Sequence, residues 1–204
     1  MPKRSQSLEK AILSRIYGHG MGMAFTPKEF LDIGSQTAIA VALHTLTKKG
    51  VIRRLARGLY DYPKTSGLVG LLPPNPESIA RALAGSEGLR LQPAGALAAN
   101  ILGLSEQVPA RATYLTDAPS RTVRVGRQTV ILRQTTPRNM KLHSRVSGLV
   151  IQALRHLGKK NVGTEQIAAL RGRLSLEQRS EIALDAKWAP AWIAGVMRAI
   201  AREN

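Results

Sequence analysis

The sequence predicts a mixed α/β (α+β) chain of two domains, and three observations carry that prediction. Apolar residues recur at helical spacing near both ends of the chain. β-branched residues cluster between Arg111 and Gln134. A Gly-, Leu- and Pro-rich stretch from Thr65 to Pro74 separates two segments with different element patterns. With 204 residues, 44% of them hydrophobic, the chain can furnish ordinary buried cores.

Taken in order, Ser7 caps a first helix running to about Ile16, with Leu8, Ala11, Ile12 and Ile16 on one face and Glu9 near the positive end of the helix dipole. Gly18, His19, Gly20 and Gly22 end it. Ala24-Phe25 has the size of a short strand. Thr26 then caps and Pro27 opens a second helix through Leu31, because proline at the first helical position gives up no useful N–H. Asp32-Ile33-Gly34 makes a tight turn, and Ser35 caps a third helix from Gln36 to Lys49, closed by Gly50 and burying Ile39, Ala42, Leu43 and Leu46. Val51 to Leu55 and Leu59 to Tyr62 read as strands joined at Ala56-Arg57-Gly58, where Gly58 can take the positive φ of a tight hairpin. Helix, short strand, helix, turn, helix and hairpin is the order of a winged helix-turn-helix, with Pro63 closing a domain of residues 1–64.

The second domain, residues 75–204, opens with a helix capped by Asn75 and started by Pro76, ending at Gly85; another follows Pro93 and ends at Gly103. Three strands follow at 112–116, 122–125 and 129–132, the last two joined by Gly126-Arg127, and they predict a small antiparallel sheet. The remainder is helical. Val146, Leu149, Val150, Ala153, Leu154 and Leu157 form one stripe, Ser175 and Gln178 form a capping box, and Pro190 starts a last helix with Ile193, Val196, Met197 and Ile200 on one face. Trp188 and Trp192 stand four residues apart across Pro190, suited to core packing or, if exposed, to a protein-binding spot.

Thirty Lys and Arg face 13 Asp and Glu, a net charge of +17. So strong a balance points to a nucleic-acid partner ahead of an anionic membrane surface or an acidic protein. With no cysteine there is neither a disulfide nor a thiolate metal site, which fits the cytoplasm. Met1-Pro2-Lys3-Arg4 resembles the start of a signal peptide, but Glu9, Lys10 and Arg15 interrupt the apolar residues behind it. Arg81, Glu87 and Arg90 break the Ala- and Leu-rich middle below the length of about 20 apolar residues needed to span a bilayer.

In a helix-turn-helix the third helix enters the major groove. Its outward residues here are Ser35, Gln36, Thr37, Val41, His44, Thr45 and Lys48, with Gln36 suited to adenine and Thr37 to base edges or phosphate. The wing carries Arg53, Arg54 and Arg57, able to reach the minor groove or flanking backbone, with Arg57 at its tip. Lys3, Arg4, Arg15 and Lys28 are further phosphate candidates. Downstream, Arg111, Arg121, Arg124, Arg127, Arg133, Arg138, Lys141 and Arg145 oppose a single acid, Asp117, so that eight minus one leaves +7 on a second basic patch.

No enzymatic or cofactor motif accompanies these features. Gly18-His19-Gly20-Met21-Gly22 imitates a phosphate loop but follows a helix instead of a strand. His19, His44, His143 and His156 share no metal-ligand spacing, and the carboxylates form no evident pair. The expectation is a non-enzymatic binding protein without a metal or cofactor.

The wing Arg53-Arg54-Leu55-Ala56-Arg57-Gly58-Leu59-Tyr60 with Pro63 resembles that of the AbiEi-like antitoxin family of type IV toxin–antitoxin systems. The likeness continues in Pro93-Ala94-Gly95-Ala96-Leu97-Ala98-Ala99-Asn100, Leu102-Gly103-Leu104-Ser105, Tyr114-Leu115-Thr116 and Ser120-Arg121-Thr122, covering residues from about 7 to 145. The resemblance implies an autorepressor that binds double-stranded operator DNA through its first domain. It also implies a second domain that neutralises a nucleotidyltransferase toxin, with or without direct contact. Two other readings stay open: a stand-alone winged-helix transcription factor whose second domain senses a ligand or dimerises, and an RNA-binding protein using both basic regions.

Overall fold

A computed structural model of the chain describes residues 2–85, 90–136, 140, 142 and 144–202, with side chains from Ser7 onward. The chain belongs to the mixed α/β class with a helical C-terminal region, and it divides into two compact units, one of residues 1–88 and 123–126, the other of 89–122 and 127–204.

In the first unit, α1 spans Pro2–His19. It begins ahead of the expected Ser7 cap, because Pro2 presets a helical φ and the residues behind it are tolerant helix formers. Ile12 and Ile16 are buried, whereas Ala11, expected on the same face, is exposed. β1 is Ala24–Phe25. The expected second helix is a four-residue 3-10 turn, Pro27–Phe30, in which Glu29 Oε1 accepts from the Thr26 N–H at 2.8 Å. So short a segment closes i→i+3 rings more readily than α-helical ones. α2 spans Gln36–Lys48, with Ser35 Oγ accepting from the Ala38 N–H at 3.3 Å. β2 (Arg53–Ala56) and β3 (Leu59–Asp61) turn at Arg57-Gly58, with Gly58 at φ +69°. The strands order β1-β3-β2, all antiparallel, with Phe25 and Arg54 both opposite Tyr60.

Ile12, Ile16, Phe25, Phe30, Ile39, Leu43, Leu46 and Ile52 make the core of this unit. α1 comes close enough to the turn before α2 that a Cβ on Gly34 would stand 3.1 and 3.3 Å from the Leu8 methyls. Lys49 pairs with Glu9 at 2.6 Å, and Arg15 grips Asp32 with two bonds of 2.7 Å while donating to the Glu29 carbonyl at 2.6 Å. The Arg15 guanidinium holds the Asp32 carboxyl below its ordinary value, so this pair contributes at neutral pH and is lost as the pH falls through that lowered value. Burial pushes the Glu29 carboxyl the other way, up from its ordinary value.

The stretch expected as a connector contains a two-stranded ribbon, β4 (Thr65–Ser66) with β5 (Gly70–Leu71). The next helix, α3 (Pro76–Ala84), is capped by Asn75 Oδ1 accepting from the Glu77 N–H at 2.9 Å. The sequence reading puts residues from 75 onward in the second domain, but α3 packs with the first unit, where Ser78 Oγ accepts from the buried Ala24 N–H at 2.5 Å. β1 is too short to carry its own outer neighbour, and its edge N–H takes a hydroxyl instead of a strand.

The second unit contains β6 (Leu91–Ala94), β7 (Arg111–Thr116) and β9 (Gln128–Gln134), with β8 (Arg121–Val125) leading through Gly126-Arg127 into β9 and the strands ordered β6-β7-β9-β8. The expected antiparallel sheet is in fact mixed. β9 lies parallel to β7, from Arg111 opposite Thr129 to Thr116 opposite Gln134, because it returns between β7 and β8. β6 is a strand that the sequence reading missed, since it contains Pro93; an edge strand tolerates the missing donor. α4 (Ala96–Ile101), α5 (Arg145–Leu157), α6 (Thr164–Arg173), α7 (Leu176–Asp185) and α8 (Ala191–Ala201) enclose the larger core, which includes Val150, Leu154, Leu170, Ile182, Ile193 and Met197. Ser175 and Gln178 exchange the two expected capping bonds at 3.2 and 3.0 Å. The tryptophans part: Trp192 packs against this core, while Trp188 is exposed with Lys187 over its ring. No described helix is long and apolar enough to cross a membrane.

Replacing Ser78 by Ala strands the buried Ala24 N–H, and an unsatisfied buried donor costs about 1–3 kcal/mol. Ser78→Ala is therefore expected to lower the unfolding free energy of the first unit by that amount, read as a lower urea midpoint at an unchanged denaturant slope.

Candidate nucleic-acid interface

Helical periodicity gives α2 one buried and one free face. Ile39, Ala42, Leu43 and Leu46 point into the core, which leaves Ser35, Gln36, Thr37, Val41, His44 and Lys48 exposed. Thr37, Val41, His44 and Lys48 follow one another at three- and four-residue steps, so they form a continuous stripe along the helix. Thr45 is turned partly away, its Oγ1 donating to the Val41 carbonyl at 3.0 Å.

The hairpin sorts its arginines by strand alternation. Arg54 and Arg57 are exposed, Arg57 at the turn beside Gly58. Arg53 has the opposite parity to Arg54 and faces Asp61 on β3, while Arg57 sits in the turn beyond the strand. Its Nε donates to Asp61 Oδ1 at 3.0 Å, and its Nη2 donates to Oδ2 at 2.6 Å and to the Leu72 carbonyl at 3.3 Å. Asp61 is 1% exposed, and its carboxylate raises the Arg53 guanidinium above its ordinary value despite partial burial. Arg53, expected to contact DNA, is thus committed to the fold. The signal for this was available: Asp61 is the one acid in the hairpin, placed symmetrically to Arg53 about Arg57. Arg15 is likewise spent on Asp32, and Lys28 stays exposed, while the side chains of Lys3 and Arg4 lie outside those described.

Electrostatics follow from this pairing. Residues 1–64 hold 11 basic and four acidic side chains, a difference of +7. Glu9, Asp32 and Asp61 are each matched to one cation, and Glu29 accepts a backbone N–H. The surplus among the described side chains sits on exposed Lys10, Lys28, Lys48, Arg54, Arg57 and Lys64.

Among the described residues, the second basic patch is not gathered on one face. Arg111 starts β7 and Arg133 lies opposite Leu115 on β9, four residues along the sheet and so about 13 Å away. Arg121 and Arg124 are exposed on β8 three residues apart, on opposite faces of the strand, with Arg124 Nε bonding the Gly126 carbonyl at 3.3 Å. Arg127 occupies the turn into β9, Arg145 opens α5, and Arg138 and Lys141 lie outside the described residues.

The segments that carry the family resemblance serve as joints in the second unit. Gly95 takes φ +61° between β6 and α4, Asn100 Nδ2 donates to the Ser105 carbonyl at 3.1 Å, and Ser120 Oγ accepts from the Gln134 N–H at 2.9 Å. Among the described residues, no group of three or more His, Asp or Glu side chains assembles a metal site. The chain belongs to a family of unknown function, DUF6088, whose model matches residues 11–182. No curated protein matches it.

Truncating Arg53 leaves the Asp61 carboxylate buried and unpaired, a defect worth about 3–5 kcal/mol at a fully buried pair and less here because the Arg53 side chain is 31% exposed. Arg53→Ala should therefore destabilise the first unit by about 2–3 kcal/mol in urea unfolding, and Arg54→Ala by no more than about 0.5 kcal/mol.

Proposed function

We propose that the first unit is a winged helix-turn-helix that binds double-stranded operator DNA, with α2 in the major groove and the β2–β3 hairpin as the wing. The observation that carries this reading is the pairing of an exposed polar stripe on α2 with unneutralised arginines on the adjoining hairpin. Gln36 and Thr37 read base edges from the N-terminal end of the helix, and His44 and Lys48 follow the groove and backbone. Arg54 and Arg57 hold phosphate or enter the minor groove. A helix of this kind fits the wide major groove of B-form DNA but not the deep, narrow one of A-form RNA, which favours DNA over RNA.

The reading extends to a cytoplasmic, non-enzymatic autorepressor. By its resemblance to AbiEi-like antitoxins, the second unit counters a nucleotidyltransferase toxin, with direct contact not required. A ligand-sensing or dimerising second unit is the alternative. The two part on a genetic observation: an adjacent gene whose product arrests growth unless this chain is co-expressed supports the antitoxin role, and a harmless neighbour removes it.

For DNA binding, a gel-shift assay on the DNA upstream of the gene is the direct test. Gln36→Ala should lose about 1–3 kcal/mol of discrimination at one base pair, whereas Arg57→Ala weakens all sequences alike if it holds phosphate. An unaltered sequence preference in the double variant rules out this recognition surface. Raising salt from about 50 to 200 mM should weaken binding about a thousandfold if six or more phosphates are contacted; a flat response assigns the charge another purpose.

A further inference from the structure

The exposed stripe of α2 is polar except at one place. Thr37, His44 and Lys48 all carry hydrogen-bonding side chains, but Val41 between them has none, and it is 57% exposed. Its surroundings on the outer face are small: Ala40 is exposed and Ala38 half-buried. From Thr37 to Val41 the outward face therefore carries no charge and no side chain larger than valine, and the cation Lys48 comes only in the last turn.

Nothing in the fold asks for a valine there. Among the described residues Val41 takes no part in the core of the unit. On an exposed helix it is a poorer choice than alanine, because its branched Cβ loses χ1 freedom against the preceding turn. The same stiffness has a use. One χ1 rotamer dominates for valine in a helix, so its two methyls are held in place in advance and a partner meets them at little ordering cost. Val41 also lines a cleft of about 760 Å3 between α1 and the start of α2, whose walls include Leu8, Ala11, Thr37 and Ala38. Exposed and yet lining the cleft, Val41 stands at its rim, with an apolar wall continuing beside it.

We infer that Val41 is a specificity-determining residue whose methyls pack on the C5-methyl of a thymine in the major groove. The inference rests on the DNA-binding reading of α2 and deepens it. Among the groups that base pairs display in that groove, the thymine methyl is the apolar one, and the rest of the pattern is hydrogen-bond donors and acceptors. A cytosine at the same position offers an N4 amino group, which valine cannot accept from, so that donor is desolvated without a partner. Val41 stands one turn after Thr37 and two turns before Lys48 on the same line of the helix, so the contact is continuous with the base edges and backbone assigned to those residues. A second copy of the chain is a poorer occupant, since the stripe ends in Lys48 and adjoins the exposed Arg54 and Arg57, and like charges repel.

The probe is the DNA upstream of the gene prepared twice, once with thymine and once with deoxyuridine throughout. The exchange removes the C5-methyls and leaves every hydrogen-bonding group of the base pairs in place. Gel-shift titration of the full chain gives the ratio of the two dissociation constants. Desolvating one methyl is worth about fourfold in that ratio. The wild-type chain is expected to prefer the thymine DNA by at least that factor, and Val41→Ala to lower the preference about fourfold. Each ratio is taken on one preparation, so a folding defect weakens both DNAs alike and does not mimic the loss. Lys48→Ala should weaken both DNAs and leave the ratio unaltered. A wild-type ratio of one, a ratio that Val41→Ala leaves unaltered, or an equal fall in Lys48→Ala overturns the assignment while DNA binding itself stands. No shift of either DNA overturns the DNA-binding reading, and the assignment with it.

Discussion

The first unit is organised around the buried carboxylate of Asp61 on β3. One row of paired residues crosses the sheet there, Ala24 on β1, Asp61 on β3 and Arg53 on β2. The row continues at both ends, through the Ala24 N–H to Ser78 of α3 and through Arg53 to the Leu72 carbonyl after the ribbon. A carboxylate that is 1% exposed requires a cation and further donors or the sheet cannot form around it. Satisfying Asp61 therefore fixes the parity of the hairpin, and parity decides which arginines remain for a ligand.

The same economy governs the rest of the unit's charge. The acids of residues 1–64 are used within the fold, tying α1 to the end of α2 and to the turn before it, so that the exposed cations left over among the described side chains lie on α1, the α2 end, the hairpin and the loops. Net charge alone describes a basic chain; the pairing turns it into a basic surface with a position. Among the described residues of the second unit no comparable patch emerges on the sheet. Its arginines alternate between strand faces or sit on turns, while others converge on the ends of α6 and α8.

Much of this was readable from local pattern. The Ser35 cap, the buried stripe of α2, the positive φ of Gly58 and the Ser175–Gln178 box depend on neighbours within a few residues, so sequence spacing exposes them. Two errors were local: Ser7 gave way to a helix already begun at Pro2, and β6 hid behind Pro93. In a third a distant partner intervened, because the boundary at 65–74 did not anticipate that α3 would satisfy β1. Arg53 was misplaced for the same reason, because a charge read along the chain carries no record of what faces it across a strand pair.

The sequence by itself determined the alternation of helices and strands, the exposed polar face of α2 and the excess of positive charge, since periodicity and composition are properties of the chain alone. Tertiary structure decided the parallel insertion of β9 beside β7, the attachment of α3 to the first unit, and the division of arginines into those that hold the fold and those that face solvent. Those outcomes turn on which donors and acceptors meet over long sequence separations. Such meetings are chosen by the cost of burying a polar group unpaired, which no local pattern encodes.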